Sequence, residues 1–138
     1  EKHPNIVAIK EASGKMEQIE TIIKQSEDGF DVLCGDDSLA YDMLQKGAKG
    51  VISVAGNAIP NEFGNMVHHT LNEQLEAAQT INEQYAEFYK LLMADGNPAG
   101  IKAVLYEMRL IQNQLRLPLV PVTNETGVKI QQFLQNIK

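Results

Sequence analysis

One lysine in this chain stands where a nucleophile is useful. Asn5-Ile6-Val7-Ala8-Ile9-Lys10 is a nearly continuous apolar run that closes on an amine. Such runs suit strands buried on both faces of a parallel sheet, and in barrels and open α/β sheets ligands meet the strands' C-terminal ends. A lysine held there among apolar residues loses hydration, which favours its neutral amine. That amine attacks a carbonyl carbon and condenses to an imine. The same position also suits a lysine that snorkels to the sheet rim or pairs with Glu11, so position alone leaves both roles open.

Two more segments end in the same layer. After Phe30-Asp31-Val32-Leu33-Cys34 comes Gly35-Asp36-Asp37-Ser38. The glycine permits close backbone approach to a ligand, and the two acids suit a metal, a cationic group or the free N–H groups of a following helix. Capping is the favoured role for the acids, because Asp and Ser just before a helix accept those N–H bonds and suit its dipole. Gly50-Val51-Ile52-Ser53-Val54 ends a third run, where a backbone carbonyl or N–H addresses a ligand without a reactive side chain, although an ordinary buried strand has the same sequence. His68-His69 are adjacent in an expected helix and do not share a face, which argues against a metal pair. Dinucleotide-binding, Walker A and nucleophile-elbow patterns do not occur.

These residues need a scaffold, and the hydrophobic spacing supplies one. Helical recurrence of Met16, Ile19, Ile22 and Ile23 from about Lys15, with Ser13-Gly14 ahead and Gly29 behind, follows the first strand. Leu39 to Lys46, ended by Gly47, follows the second, and a helix opened by Pro60 and reaching about Leu71 follows the third. Strands alternating with helices imply βαβ crossovers and a parallel sheet. Beyond residue 72 the pattern is helical only: Leu75, Ala78, Ile81, Tyr85, Phe88 and Leu92 mark one helix, and Ile101, Val104, Leu105 and Met108 a second that starts at Pro98. Leu117 to Val122 contains two prolines and must be extended, and Asn124 to Ile137 is a last helix. The expectation is an α/β unit over 1–71 and a helical unit over 72–138. Three parallel strands alone leave two unpaired edges, so the sheet is expected to lack neighbours.

Composition narrows the function further. The 138 residues carry 12 basic and 18 acidic side chains, a net charge of −6, with no basic cluster of the kind that holds nucleic acid. Apolar runs of four or five residues are far below the ~20 of a membrane span. The single Cys34 excludes an internal disulfide framework and a Cys-based zinc site, and fits a cytoplasmic setting. A start at Glu1 without Met, running at once into an apolar strand, suggests a chain cut from a longer protein.

Val7-Ala8-Ile9-Lys10-Glu11-Ala12-Ser13-Gly14, Leu33-Cys34-Gly35-Asp36-Asp37 and Gly50-Val51-Ile52-Ser53-Val54 with Asn57 together resemble the Schiff-base-lysine half of the dihydrodipicolinate synthase family. The likeness continues through Asn97-Pro98 and Lys102 to Leu117–Thr123; Gly100 departs from a position often Pro in the family. It implies an α/β fold, the last three βα units of a (β/α)8 TIM barrel followed by a C-terminal helical domain. It further implies condensation of pyruvate with L-aspartate 4-semialdehyde in lysine and diaminopimelate biosynthesis, usually in a homotetramer and with no metal or organic cofactor. Lys10 would form the imine, Ile52 would bind pyruvate through its backbone, and Gly35 would lie beside them. The family's carboxylate-binding threonines, relay tyrosine and second-substrate arginine have no counterpart in this chain. Tyr41, Tyr85, Tyr89 and Tyr106 receive no role, and the isolated chain is expected to be inactive and to need the missing half of the barrel or self-association. N-acetylneuraminate lyases and 2-keto-3-deoxy-sugar-acid aldolases share the lysine but not the Lys-Glu-Ala-Ser-Gly and Gly-Asp-Asp combination. A non-catalytic assembly module is the third possibility.

Overall fold

A computed structural model describes residues 3–137; positions 1–2 and 138 of the two expected units lie outside it. Strands β1 (Ala8–Glu11), β2 (Asp31–Cys34) and β3 (Gly50–Val51) form a parallel sheet in the order β1-β2-β3. Helix α1 (Met16–Gln25) joins the first pair. A 3-10 turn, Asp37–Leu39, and α2 (Ala40–Gln45) join the second. Both steps run in one direction across the sheet, so right-handed crossovers put these helices on one face. Ile19 of α1 and Met43 of α2, both fully buried, pack there in the cluster that holds Cys34.

Register decides which side chains share the other face. Lys10 pairs with Leu33 and Leu33 with Gly50, while Glu11 pairs with Cys34 and Cys34 with Val51. Alternation therefore sets Lys10 and Leu33 on the face opposite the buried Cys34. The ladder continues past the strands through Gly35 N–H to Glu11 O and Ile52 N–H to Cys34 O, both 2.8 Å, which returns Ala12, Gly35 and Ile52 to the Lys10 face. The expected burial on both faces is not found: Ile6, Val7 and Ile52 are 54%, 61% and 49% exposed. Helices cover one face of the sheet, and the described residues put nothing equivalent over the other.

Helix α3 (Pro60–Leu71) opens with its proline in the first turn, where no N–H is needed. It packs on α4 (Leu75–Met93), with Phe63 edge-on to Tyr89 at 6.0 Å between ring centroids. α5 (Ala99–Glu107) and α6 (Asn124–Asn136) pack against α4, and Phe88 stacks on Phe133 at 5.3 Å. Asp95, just past α4, accepts hydrogen bonds from Thr123 N–H (2.8 Å) and hydroxyl (2.9 Å), and the Thr123 hydroxyl in turn caps Thr126 N–H of α6. One hydrophobic cluster runs through the sheet-backing helices and the later ones. No helix of the described residues is long and apolar enough to cross a membrane.

Strand boundaries differ from the sequence reading. The first strand starts at Ala8 rather than Asn5 and includes Glu11. The third ends at Val51 rather than Val54, because Ser53 to Asn57 turn into a 3-10 segment whose amides bond to side chains instead of a neighbouring strand. α4 spans Leu75–Met93, as the apolar spacing from Leu75 predicts, and starts after Gln74 N–H closes a turn onto His69 O at 2.8 Å.

Candidate active site

Lys10 stands one residue before the C-terminal end of β1. Its side chain is exposed, so the enclosure among apolar neighbours expected from the sequence is absent: the face it occupies is the uncovered one. It forms no ion pair among the described residues, and Glu11 is not its partner. Glu11 points to the opposite face, is 6% exposed, and accepts from Ser13 N–H at 3.1 Å and the Gln18 amide at 3.4 Å. That carboxylate shapes the turn after β1.

Gly35 is pressed against the lysine. A Cβ at this position would lie 2.6 Å from Lys10 Cε, 2.8 Å from Ala12 Cβ and 3.1 Å from Glu11 O. Only a residue without a side chain leaves room for the Lys10 stem to cross the end of β2. Lys10 and Gly35 line one cleft of about 510 Å³ together with Asp37, Val54, Tyr89 and Asn97. Ile52 shares the face but does not line the cleft: it is level with Ala12 and Gly35 and lies two strand spacings, ~10 Å, across the sheet from β1. Its N–H is committed to Cys34 O, so the backbone group it has left for a ligand is the carbonyl, which only accepts.

The two acids have separate roles. Asp36 caps the 3-10 turn, accepting from Ser38 N–H (2.9 Å) and hydroxyl (2.7 Å). Asp37 does not cap. Its buried carboxylate reaches across to the turn after β3, where Oδ2 accepts from Val54 N–H at 3.0 Å and Ala55 N–H at 2.7 Å. Burial raises the Asp37 pKa above the ordinary carboxylate value, against the neighbouring Ser53 hydroxyl and the hydrogen bonds from Ala55 and Val54, which lower it. Cys34, beneath the same turn, donates to Asp36 O at 3.0 Å, and burial pushes its thiol up to about 11. It is not poised for reaction.

The sequence reading missed Tyr89, Val54 and the bridging role of Asp37. Tyr89 follows Tyr85 by one helical turn on the buried side of α4, a spacing that marks core but not cleft. His68 and His69 lie on α3, and the His69 Nδ1 sits against the Gln74 Oε1.

A lysine at a strand end, with a glycine packed on its stem and a backbone-only third strand end on the same face, is the arrangement expected of the resembled family. The model of the Dihydrodipicolinate synthetase family matches residues 1–137. The chain belongs to this family. The 4-hydroxy-tetrahydrodipicolinate synthase of Azobacteroides pseudotrichonymphae genomovar. CFP2 is 51% identical over 130 residues, covering 94% of this chain and 44% of that protein. Among solved members, dihydrodipicolinate synthase from Aquifex aeolicus superposes with a TM-score of 0.95 at 34% identity, over 99% of this chain and 46% of that one. The chloride-inhibited dihydrodipicolinate synthase from Acinetobacter baumannii complexed with pyruvate gives 0.93 at 30% identity, over 98% and 46%. The chain thus has the α/β fold of dihydrodipicolinate synthases over the part it shares, and spans about half the length of the curated relatives it matches.

Proposed function

We propose that this chain supplies the C-terminal part of a cytoplasmic 4-hydroxy-tetrahydrodipicolinate synthase, in which Lys10 forms an imine with pyruvate and the resulting enamine attacks L-aspartate 4-semialdehyde. Residues 1–71 would be the last three βα units of a TIM barrel and 72–138 its helical domain. The one-directional strand order, with helices on one face and an open, partly apolar other face, supports this division: a barrel interior is such a face closed on itself. The observation that carries the reading is the fit of Gly35 against the Lys10 stem at the strand ends.

The chemistry follows from the amine. Neutral Lys10 Nζ attacks the pyruvate ketone carbon, and loss of water leaves a C=N bond that draws electrons from the neighbouring methyl. Loss of a methyl proton gives the enamine, whose carbon bonds to the aldehyde carbon of the second substrate. The imine is itself the electron sink, so the step requires no metal or organic cofactor. The Ile52 carbonyl suits a hydrogen donor, and the hydroxyl of the first addition product and the iminium N–H are both donors. Remaining strands over the open face would remove water from Lys10, and assembly into a homotetramer would follow the family. Residues outside this chain would bind the pyruvate carboxylate and relay protons, so the chain alone is expected to be inactive.

The test is a chimera in which residues 1–138 replace the matching stretch of the Azobacteroides protein. Turnover of pyruvate with aspartate semialdehyde, abolished by Lys10→Ala, is expected. Cleavage of N-acetylneuraminate instead, or full synthase turnover by the 138-residue chain alone, would overturn the proposal.

A further inference from the structure

The irregular stretch between α5 and α6 carries more exposed apolar surface than a solvent-facing connector needs. α5 closes at Arg109, whose φ of 62° is left-handed, with Leu110 N–H returning to Leu105 O at 2.9 Å. The chain then runs to α6 without helix or strand, and connections of this length are uncommon in compact domains unless they serve a function. Leu117 is 89% exposed and Val120 65%, and Leu110, Ile111 and Leu119 also lie outside the core. Single exposed apolar residues are ordinary, but several along one stretch mark a contact.

The same stretch forms a groove with α5. Lys102 of α5 and Arg116 line it with Gln112, Gln114 and Leu119 around about 590 Å³, and no acidic side chain among the described residues lines it. Neither cation forms an ion pair among the described residues. Lys102 is half-buried and sits near the positive end of its helix, where a cation is disfavoured. In a chain of net charge −6, two cations thus share a groove without a counter-charge. A carboxylate completes it, because the arginine fork takes both carboxylate oxygens and lysine adds a point charge.

The possible sources of that carboxylate differ in what else they cover. A free small anion would neutralise the groove but leave Leu117 and Val120 in water. A second copy meeting this patch across a two-fold axis would bring the same cations face to face. A segment of a longer polypeptide covers the apolar residues and delivers the acid together. The relatives named above extend for more than half their length outside the part this chain matches.

We propose that the α5–α6 connector is a docking surface for the rest of the synthase: an Asp or Glu on an apolar segment outside residues 1–138 enters the groove between Lys102 and Arg116, and that segment covers Leu117 and Val120. This contact on the helical unit adds to the one expected over the open face of the sheet. It rests on the reading of the chain as part of a synthase, and not on the role of Lys10. The test treats the chimera with a water-soluble carbodiimide, which joins a carboxylate to an amine in contact with it, and maps the links by mass spectrometry. The Lys129–Glu125 pair, 2.7 Å apart, is the internal control. Mixing unlabelled and isotope-labelled chimera separates links within one polypeptide from links between two. The expected link joins Lys102 to an Asp or Glu of the Azobacteroides-derived part of the same polypeptide. Its yield should fall about threefold in Arg116→Gln, the effect of losing one exposed charge contact. A Lys102 link to a residue within 1–138, a link between polypeptides, no Lys102 link beside the control, or an unchanged yield in Arg116→Gln would overturn the proposal. A chimera that links Lys102 as expected yet forms no pyruvate adduct would keep the docking surface and refute Lys10 as nucleophile.

Discussion

Gly35→Ala isolates the link between backbone packing and chemistry. The glycine is free of positive-φ strain, so alanine suffers from space alone. Its Cβ would meet Lys10 Cε at 2.6 Å, about 0.9 Å inside the ~3.5 Å at which two carbons pack best. The lysine stem is flexible and will swing aside, whereas Ala12 Cβ at 2.8 Å and Glu11 O at 3.1 Å belong to the strand and its turn. Overpacking of this kind costs about 1–3 kcal/mol, which a chain of this size registers as a drop in Tm of several degrees. The functional cost is larger, because a misplacement of about 1 Å in an oriented reaction lowers its rate about 10²-fold. The assay is the rate of pyruvate adduct formation in the chimera, trapped with borohydride and read by intact mass. Gly64→Ala is the control: nothing lies within 4 Å of its added methyl in α3, and the helix should gain about 0.5–1 kcal/mol. An adduct rate for Gly35→Ala within twofold of the parent would refute the claim that Gly35 sets the position of Lys10.

Other perturbations test the scaffold. Gly100→Ala in α5 would drive a methyl into the Leu92 carbonyl of α4, with Leu92 Cα 2.9 Å away, and neither backbone can yield; a loss of about 3 kcal/mol or more is expected, and a melting temperature within a degree of the parent would contradict it. Cys34, with its thiol pushed up to about 11, is thiolate in only about one molecule in ten thousand at pH 7. A disulfide reagent should therefore label it only after denaturation, and rapid stoichiometric labelling of the native chain would count against its burial. Thr123 N–H, with the Thr126 and Thr123 hydroxyls, holds the Asp95 carboxyl below the usual range. A depressed folded pKa gives stability that is present above the unfolded value and lost as pH falls through the folded one. The urea midpoint of Asp95→Asn should thus lie below the parent at pH 7 and converge with it as the pH drops below about 4; a constant gap would show that charge is not involved.

Local elements were legible in the sequence because their causes are local. Met16, Ile19, Ile22 and Ile23 place one stripe on α1, and Pro60 opens α3 where it was expected. The strand ends were harder. Ser53-Val54 has strand composition, but the carboxylate that bends it away is Asp37, 17 residues earlier, and no pattern along the chain encodes that bond. The same distance hid Tyr89, whose spacing from Tyr85 says only that it faces inward. Type and position single out Lys10 as a candidate, but not its exposure, since an apolar run shows that a strand is covered somewhere and not by which part of the molecule. Gly35 reads as merely permissive in the sequence; only the fold brings Lys10 Cε and Ala12 Cβ against the place its side chain would take.

The proposed chemistry runs through one nitrogen. Incubating the chimera with pyruvate and borohydride, then digesting it and mapping the product by mass spectrometry, reads that nitrogen directly. The prediction is one reduced pyruvate on the peptide containing Lys10, absent when Lys10 is alanine. An adduct on Lys15, Lys90 or Lys102 in place of Lys10, or no adduct in a chimera that folds, would contradict it.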